Sequence, residues 1–252
     1  MTILEATILG IIQGFTEFLP ISSSGHLVLG QAILGIEQPG NEFEILVHLG
    51  TLASVLVIFF DDIKSLILSL ASKKTQIFIM YILIGTLPAA GIGLGFKDLI
   101  DSLFENVTAV GGALIFTGVV LFGSSFANRQ DKDHSFLTCI LIGCAQAMAI
   151  IPGVSRSGMT ISAALFLGLS AKEAARFSFL LAIPAIGGAG LLTALDVSGG
   201  FQMPIPVALA GLTSSFAVGV VALKWLLGWL EQGKFHYFGI YCLVVGLITL
   251  VV

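Results

Sequence analysis

The chain has 252 residues, 56% of them hydrophobic and only 10% charged, with a mean hydropathy of +1.04 and a net charge of −4. Soluble domains carry about 25% charged residues, so this composition excludes a soluble globular protein. The acidic balance gives no footing for nucleic acid, whose partners are basic. The fold class expected is an all-α polytopic membrane protein.

The first apolar segment covers 3–18. No basic stretch precedes it and it contains Glu5, so it is expected to stay in the mature protein rather than be cleaved as a signal peptide. A break rich in Ser, Gly and Pro follows, then a short apolar segment over 27–36. A membrane-crossing helix needs about 20 residues, so this pair reads as a re-entrant helix–loop–helix that enters and leaves by one face. Broken backbone at such depth is tolerated where it is buried in protein or lines a wet cavity. Longer segments come at 44–60, 77–96 and 107–126, and then a polar linker over 127–134. The same plan recurs with a segment over 136–151, a second break, a short segment over 159–169, and spans at 174–195, 205–230 and 236–252.

The recurrence is visible residue by residue. At an offset of 133, Gly10 and Gln13 align with Gly143 and Gln146, Ser22-Ser23-Ser24-Gly25 with Ser155-Arg156-Ser157-Gly158, and Gly35 with Gly168. With a two-residue shift Glu42 matches Glu173. One membrane domain over 1–252 is thus built from repeat 1 (1–126) and repeat 2 (135–252). Three full spans per repeat is an odd number, so the second repeat should be inverted relative to the first, giving six full transmembrane helices plus two re-entrant pairs. Basic residues agree. With the N-terminus outside, the inside loops hold Lys64, Lys73, Lys74, Arg129, Lys132, Lys172, Arg176 and Lys234, whereas the outside loops hold only Lys97 beside Asp98, Asp101 and Glu105. This is a positive-inside distribution. The two re-entrant loops should then meet from opposite faces, as in transporters built from inverted repeats.

The polar residues gather in the breaks. Gln13 and Glu17 are four apart and share a helix face. Pro20 disfavours helix at the residue before it. Ser22, Ser23, Ser24 and Gly25 can open a new helix whose N–H groups face an anion, and His26 lies on its first turn. In the second break Arg156 sits in apolar sequence between Ser155 and Ser157, followed by Gly158. A permanently charged guanidinium at membrane depth needs an anionic partner. Taken singly, Glu17 could be a headgroup-level carboxylate, the serines could be helix caps, His26 an interfacial histidine, and Arg156 a structural partner for Glu17. Together they supply a base or metal ligand, hydroxyls, a proton carrier and an anion clamp, which suits a phosphate or another oxyanion.

Other polar residues have plainer readings. His48 and Glu44, four apart, are candidates to support the site. Glu173 can pair with Arg176 at i,i+3. Asp61, Asp62 and His134 read as loop residues in solvent. Cys139, Cys144 and Cys242 read as packing residues. Gly111-Gly112 and Gly187-Gly188 permit close helix approach, within the bundle or in a homodimer.

Two motifs then carry a resemblance. Gln13-x-x-x-Glu17 followed by Leu19-Pro20-Ile21-Ser22-Ser23-Ser24-Gly25-His26 resembles the first signature of the bacterial undecaprenyl-diphosphate phosphatases of the bacitracin-resistance type. Pro152-Gly153-Val154-Ser155-Arg156-Ser157-Gly158-Met159-Thr160 resembles their second. Length and repeat plan are similar over the whole chain. The resemblance implies hydrolysis of undecaprenyl diphosphate to the monophosphate and phosphate, which recycles the lipid carrier for the cell wall. Read with the chemistry of the breaks, it makes Glu17, Ser23, His26 and Arg156 the candidate catalytic residues, and Gln13, Ser22, Ser24, Gly25, Ser155, Ser157 and Gly158 the candidate substrate contacts. It also implies a divalent cation, Mg²⁺ or Ca²⁺, on Glu17, and a site facing the outer side of the bacterial inner membrane. Bacitracin would compete by binding the substrate. The family pattern has Glu or Gln at the first motif position; here it is Gln13, so a second carboxylate ligand is missing there.

On this reading Arg156 and the N–H groups of 155–158 clamp the phosphates, and the attacking group is either Ser23 activated by His26 or a water activated by His26 or Glu17. The competing class is a lipid-carrier flippase or an ion-coupled transporter, which inverted repeats also describe. Hydroxyls beside an acid/base pair favour the enzyme.

Overall fold

A computed structural model describes residues 1–36, 41–104, 106–127, 131–196 and 203–251. Glu105, and Asn128, Arg129 and Gln130 of the linker, lie outside the described residues. No strand occurs among the described residues, and the chain is all-helical.

The first half contains α1 (Ile3–Phe18), α2 (Ser23–Leu34), α3 (Asn41–Ile58), α4 (Phe60–Leu68), α5 (Lys73–Gly95), α6 (Lys97–Phe104) and α7 (Val107–Gly123). The second contains α8 (Phe136–Met148), α9 (Arg156–Phe166), α10 (Ala171–Asp196), α11 (Ile205–Glu231) and α12 (Tyr237–Val251). Local chemistry sets the ends. Thr2 and Glu5 form a reciprocal capping box at the start of α1, and Pro20 helps stop it near Phe18. Gly35, at φ 65°, takes the left-handed conformation that closes α2.

Among the described residues, four helices are long and apolar enough to cross a membrane: Lys73–Gly95, Val107–Phe126, Ala171–Leu192 and Ile205–Glu231. A fifth span is possible where Glu42–Ile58 and Phe60–Leu68 join, but they are bent by 68°. The inside loop expected to carry Lys64, Lys73 and Lys74 begins instead with α4, an amphipathic helix with Asp61 and Asp62 in its first turn. The last segment is a shorter apolar helix, α12. The short segments also shift. α2 and α9 begin at Ser23 and Arg156, several residues before the apolar runs, because Ser22 and Ser155 cap them and draw the polar residues into the first turn.

Packing directions are defined by close backbone approaches. α1 runs parallel to α11, with Gly10 against Gly211 and Gly14 against Ser215 and Val218. α3 follows α11 in the same sense, and Ser54 Oγ donates to the Phe216 carbonyl at 2.9 Å. In the other half α8 lies on α5, where Gly143 abuts the Gly85 carbonyl; α10 runs parallel to α5, with Phe177 on Phe78 and Leu181 on Gly85. Two pairs join elements that hold the same place in each half, and both are antiparallel. Between α3 and α10, Leu52 reaches Gly187 and Leu49 and Ile45 reach Gly190. Between α7 and α12, Gly111 sits against Gly246 and Gly118 against Gly239. Gly111 is thus used within the chain, while Gly112 and Gly188 face open space.

The largest cluster of buried apolar side chains joins Phe18 and Leu19, at the first break, to Phe59, Phe177 and Phe179. Two residues expected in solvent are held by structure instead. Asp62 accepts from Arg176 Nε at 2.6 Å, and His134 packs on Phe177 with Nε2 3.4 Å from Glu173. Arg176 also reaches Glu173 at 3.4 Å and lies over the Phe78 ring. Of the cysteines, Cys139 and Cys242 are buried and Cys144 is exposed.

Candidate functional site

The two breaks meet each other. Each ends in a serine cap of the same design: Ser22 Oγ accepts from Gly25 N, and Ser155 Oγ accepts from Gly158 N. Ser22 Oγ also accepts from Gly153 N at 3.1 Å, which bonds the first break to the second. A Cβ on Gly25 would meet the Gly153 Cα at 3.1 Å, so the two backbones are in contact there. Ser22 adopts φ 69°, a left-handed conformation that a residue with a side chain holds only when its surroundings enforce it. Ser157 Oγ reaches back to the Leu19 carbonyl at 3.5 Å.

Each break is also held by the last helix of the opposite half. Thr117 of α7 donates to the Gly153 carbonyl at 3.1 Å and accepts from Ser155 N at 3.2 Å. Cys242 of α12 donates weakly to the Pro20 carbonyl at 3.4 Å. Neither residue is distinguishable in the sequence from its apolar neighbours; the spacing of the breaks carries no information about what braces them.

Glu17, at the end of α1 and buried, is the hub. Its Oε1 accepts from Arg156 Nη2 at 2.7 Å. Its Oε2 accepts from Ser23 Oγ at 2.6 Å and from Gln13 Nε2 at 3.0 Å. His48 Nε2 lies 3.6 Å from the same oxygen, while His48 Nδ1 is 2.7 Å from the Glu44 carbonyl. Among the described residues, Arg156 Nη1 and Gln13 Oε1 are buried without a hydrogen-bond partner. The Gln13 orientation follows from chemistry: the carboxylate can only accept, so Nε2 faces it and Oε1 faces away. The site therefore offers an unused guanidinium N–H group to an anion and an unused carbonyl oxygen to a cation or donor. Beside them are two helix starts, at Ser23 and Arg156, whose first N–H groups have no intrahelical acceptor.

The expected residues separate into two groups. Gln13, Glu17, Ser23 and Arg156 come together around one carboxylate. Ser22, Ser24, Gly25, Ser155, Ser157 and Gly158 form the paired caps beside it, with Ser22 and Ser24 hydroxyls 3.3 Å apart and Ser155 and Ser157 hydroxyls also 3.3 Å apart. His26 is elsewhere. Its Nδ1 lies 2.8 Å from the Ser22 carbonyl and its Nε2 lies 2.9 Å from the Tyr241 hydroxyl, so in this structure it does not contact Ser23 or Glu17. His48, named from sequence only as a supporting residue, is the histidine beside Glu17. His26 and Tyr241 instead line an apolar groove of about 650 Å³ between α1, α2, α11 and α12, with Phe15, Ile33, Trp225 and Trp229.

No group of three or more His, Cys, Asp or Glu that could hold a metal ion occurs among the described residues. Glu17 is the carboxylate present, and a hard cation here would need oxygens from a ligand to complete its shell.

A family model described as bacitracin resistance protein BacA matches residues 6–248. Among similar proteins is the undecaprenyl-diphosphatase of Desulforapulum autotrophicum, 39% identical over 274 residues, covering 100% of this chain and 98% of that one. The undecaprenyl-diphosphatase of Korarchaeum cryptofilum is 42% identical over 262 residues, covering 99% of each chain. That of Syntrophotalea carbinolica is 40% identical over 255 residues, covering 98% of this chain and 97% of its own.

Proposed function

Because the chain belongs to the BacA bacitracin-resistance family, we propose that it hydrolyses undecaprenyl diphosphate to undecaprenyl phosphate and inorganic phosphate, at the Glu17–Ser23–Arg156 cluster. The observation that carries this reading is Ser23 Oγ donating to Glu17 at 2.6 Å while Arg156 reaches the same carboxylate from the other half of the chain. Glu17 takes the Ser23 proton as Oγ attacks the terminal phosphorus. The bond to the bridging oxygen breaks, and undecaprenyl phosphate leaves with that oxygen. Glu17 passes that proton to the departing oxygen and then deprotonates the water that attacks the phosphoserine; the bond to Ser23 Oγ breaks, phosphate is released, and Ser23 Oγ takes a proton back from Glu17. Arg156 Nη1 and the N–H groups of Ser23, Ser24, Arg156 and Ser157, which the serine caps do not use, hold the phosphoryl oxygens, where preorganised donors act on developing charge.

A divalent cation, Mg²⁺ or Ca²⁺, fits these residues as a ligand shared with substrate. Glu17 and the unpartnered Gln13 Oε1 are oxygen donors, and diphosphate oxygens supply the rest. When bound, such an ion neutralises phosphate charge. The prenyl chain lies in the apolar groove between α1, α2, α11 and α12, so that the tail stays among apolar side chains while the head group reaches the cluster. Its volume is within the usual range of about 300–1,000 Å³ for ligand clefts.

The membrane frame belongs to the same proposal. α1 through α7 and α8 through α12 form an inverted repeat, supported by the antiparallel pairing of α3 with α10 and of α7 with α12. An axis in the membrane plane reverses such pairs, whereas an axis along the normal leaves them parallel. The protein resides in the bacterial inner membrane with the Glu17 site open to the outer side, and bacitracin acts by sequestering the substrate. The decisive experiment is phosphate release from undecaprenyl diphosphate by purified protein, with and without EDTA, for wild type, Glu17→Gln and Ser23→Ala. Metal-dependent release lost in both variants, with substrate binding kept in Ser23→Ala, is the expected result. No release by folded wild type would transfer the site to a lipid-carrier transporter. A modest loss in Ser23→Ala would make water the attacking group.

A further inference from the structure

His26 and Tyr241 form a pair that the hydrolytic cluster does not use. The Ser22 carbonyl, 2.8 Å from His26 Nδ1, can only accept, so Nδ1 carries a hydrogen and Nε2 is the bare nitrogen that accepts from the Tyr241 hydroxyl at 2.9 Å. The two rings stack with centroids 5.7 Å apart and planes 17° from parallel. Both nitrogens are thereby committed inside the protein, and the Ser23 proton already has its acceptor on Glu17.

The Ser22 carbonyl is a sensitive place to hold. It belongs to the same planar peptide as the Ser23 N–H, so fixing its direction fixes the plane from which the Ser23 side chain projects. Ser22 itself sits at φ 69°, and its carbonyl receives two donors from His26, the backbone N at 3.2 Å and the ring Nδ1. Tyr241 is on α12, whose next residue, Cys242, bonds the Pro20 carbonyl. One turn of α12 thus fastens the first break on both sides, at Pro20 directly and at Ser22 through His26.

We propose that Tyr241 and His26 are a positioning pair: the tyrosine hydroxyl fixes the imidazole, and the imidazole fixes the Ser22–Ser23 peptide so that Ser23 Oγ stays aimed at Glu17. His26 then acts through its Nδ1–H as a donor to backbone and moves no proton in the reaction. The pair rests on the reading of Ser23 as the group that Glu17 activates.

The two side-chain amides separate the two nitrogens. Asparagine places an N–H near the position of Nδ1, and glutamine places one near that of Nε2. Phosphate release from undecaprenyl diphosphate is measured for wild type, His26→Asn, His26→Gln, Tyr241→Phe and His26→Asn/Tyr241→Phe, each first shown to be monodisperse with a wild-type melting temperature. His26→Asn is expected to keep kcat within about tenfold and His26→Gln to lose about a hundredfold, the scale of a misplaced reacting group, with KM near wild type in both. The pH profile of kcat in His26→Asn keeps its wild-type shape. Tyr241→Phe lowers kcat in wild type and has no further effect in His26→Asn, since a residue acting only through another is silent once that link is gone. His26→Asn as inactive as His26→Gln, with a limb of the pH profile removed, overturns the proposal and makes His26 a proton carrier. Equal cost of Tyr241→Phe in both backgrounds also overturns it. Should a His26 variant fail to fold, Tyr241→Phe removes one hydroxyl and leaves the ring stack; unchanged kcat there is again fatal. Ser23→Ala, run in parallel, tests the nucleophile separately.

Discussion

At the scale of single residues, the site is a carboxylate surrounded by donors. Glu17 accepts from Arg156, Ser23 and Gln13 while buried. Removing its charge leaves the Arg156 guanidinium buried without a counter-ion, a change that typically costs about 3–5 kcal/mol. Glu17→Gln is therefore expected to lose both activity and thermal stability, read by phosphate release and by the melting temperature in detergent. Arg156→Lys keeps the charge but not the fork, so one nitrogen cannot reach Glu17 and also offer a second N–H to phosphate. Its kcat should fall by about 10²–10³; wild-type turnover in that variant would remove Arg156 from the clamp. The pairing of Glu17 with Arg156 was legible in the sequence, since each is a charge at depth needing the other. The roles of the two histidines were not. His26 and His48 each place Nδ1 at the carbonyl four residues earlier. The partner of Nε2 differs because α12 stands beside one and the end of α1 beside the other.

At the scale of elements, helices approach where glycine leaves room. A Cβ on Gly143 would collide with the Gly85 backbone, and neither helix can yield without moving its partner. Gly143→Val is expected to lower stability by about 1–3 kcal/mol as an overpacking change, seen as a fall in melting temperature. Gly228, with nothing within 4 Å of a built Cβ, is the control: Gly228→Ala should leave the melting temperature unchanged. The two breaks were readable as breaks because proline and serine interrupt apolar runs too short to cross a membrane. The start of α2 was readable from Ser22 to Gly25, whereas α9 begins at Arg156, before the apolar run expected over 159–169. Hydropathy marks where side chains are apolar, whereas a capping serine decides where the backbone begins to turn. The same limit hid α4, whose acidic first turn resembles a loop until Ile63 and Leu66 are seen packed on the largest apolar cluster.

For the whole molecule, the decisive feature is direction. α1, α3 and α11 run parallel, α5 and α10 run parallel, and the two pairs joining equivalent elements are antiparallel. In the proposed orientation, Lys97→Cys in a cysteine-free background should react with a membrane-impermeant maleimide from outside intact cells. Lys64→Cys and Lys234→Cys should react only after permeabilisation. Labelling of all three from outside would refute the inverted arrangement.

The sequence by itself determined that this chain is helical, lives in a membrane, repeats a broken-helix plan, and gathers polar residues in the breaks. Those features follow from composition, run length and an offset between identical residues, all of which are local or periodic. Tertiary structure alone decided which residues touch across that offset: that Ser22 bonds Gly153, that Thr117 and Cys242 brace the opposite breaks, and that Tyr241 bonds His26. Such contacts depend on the rotation and height of each packed helix, and a linear pattern of apolar residues fixes neither.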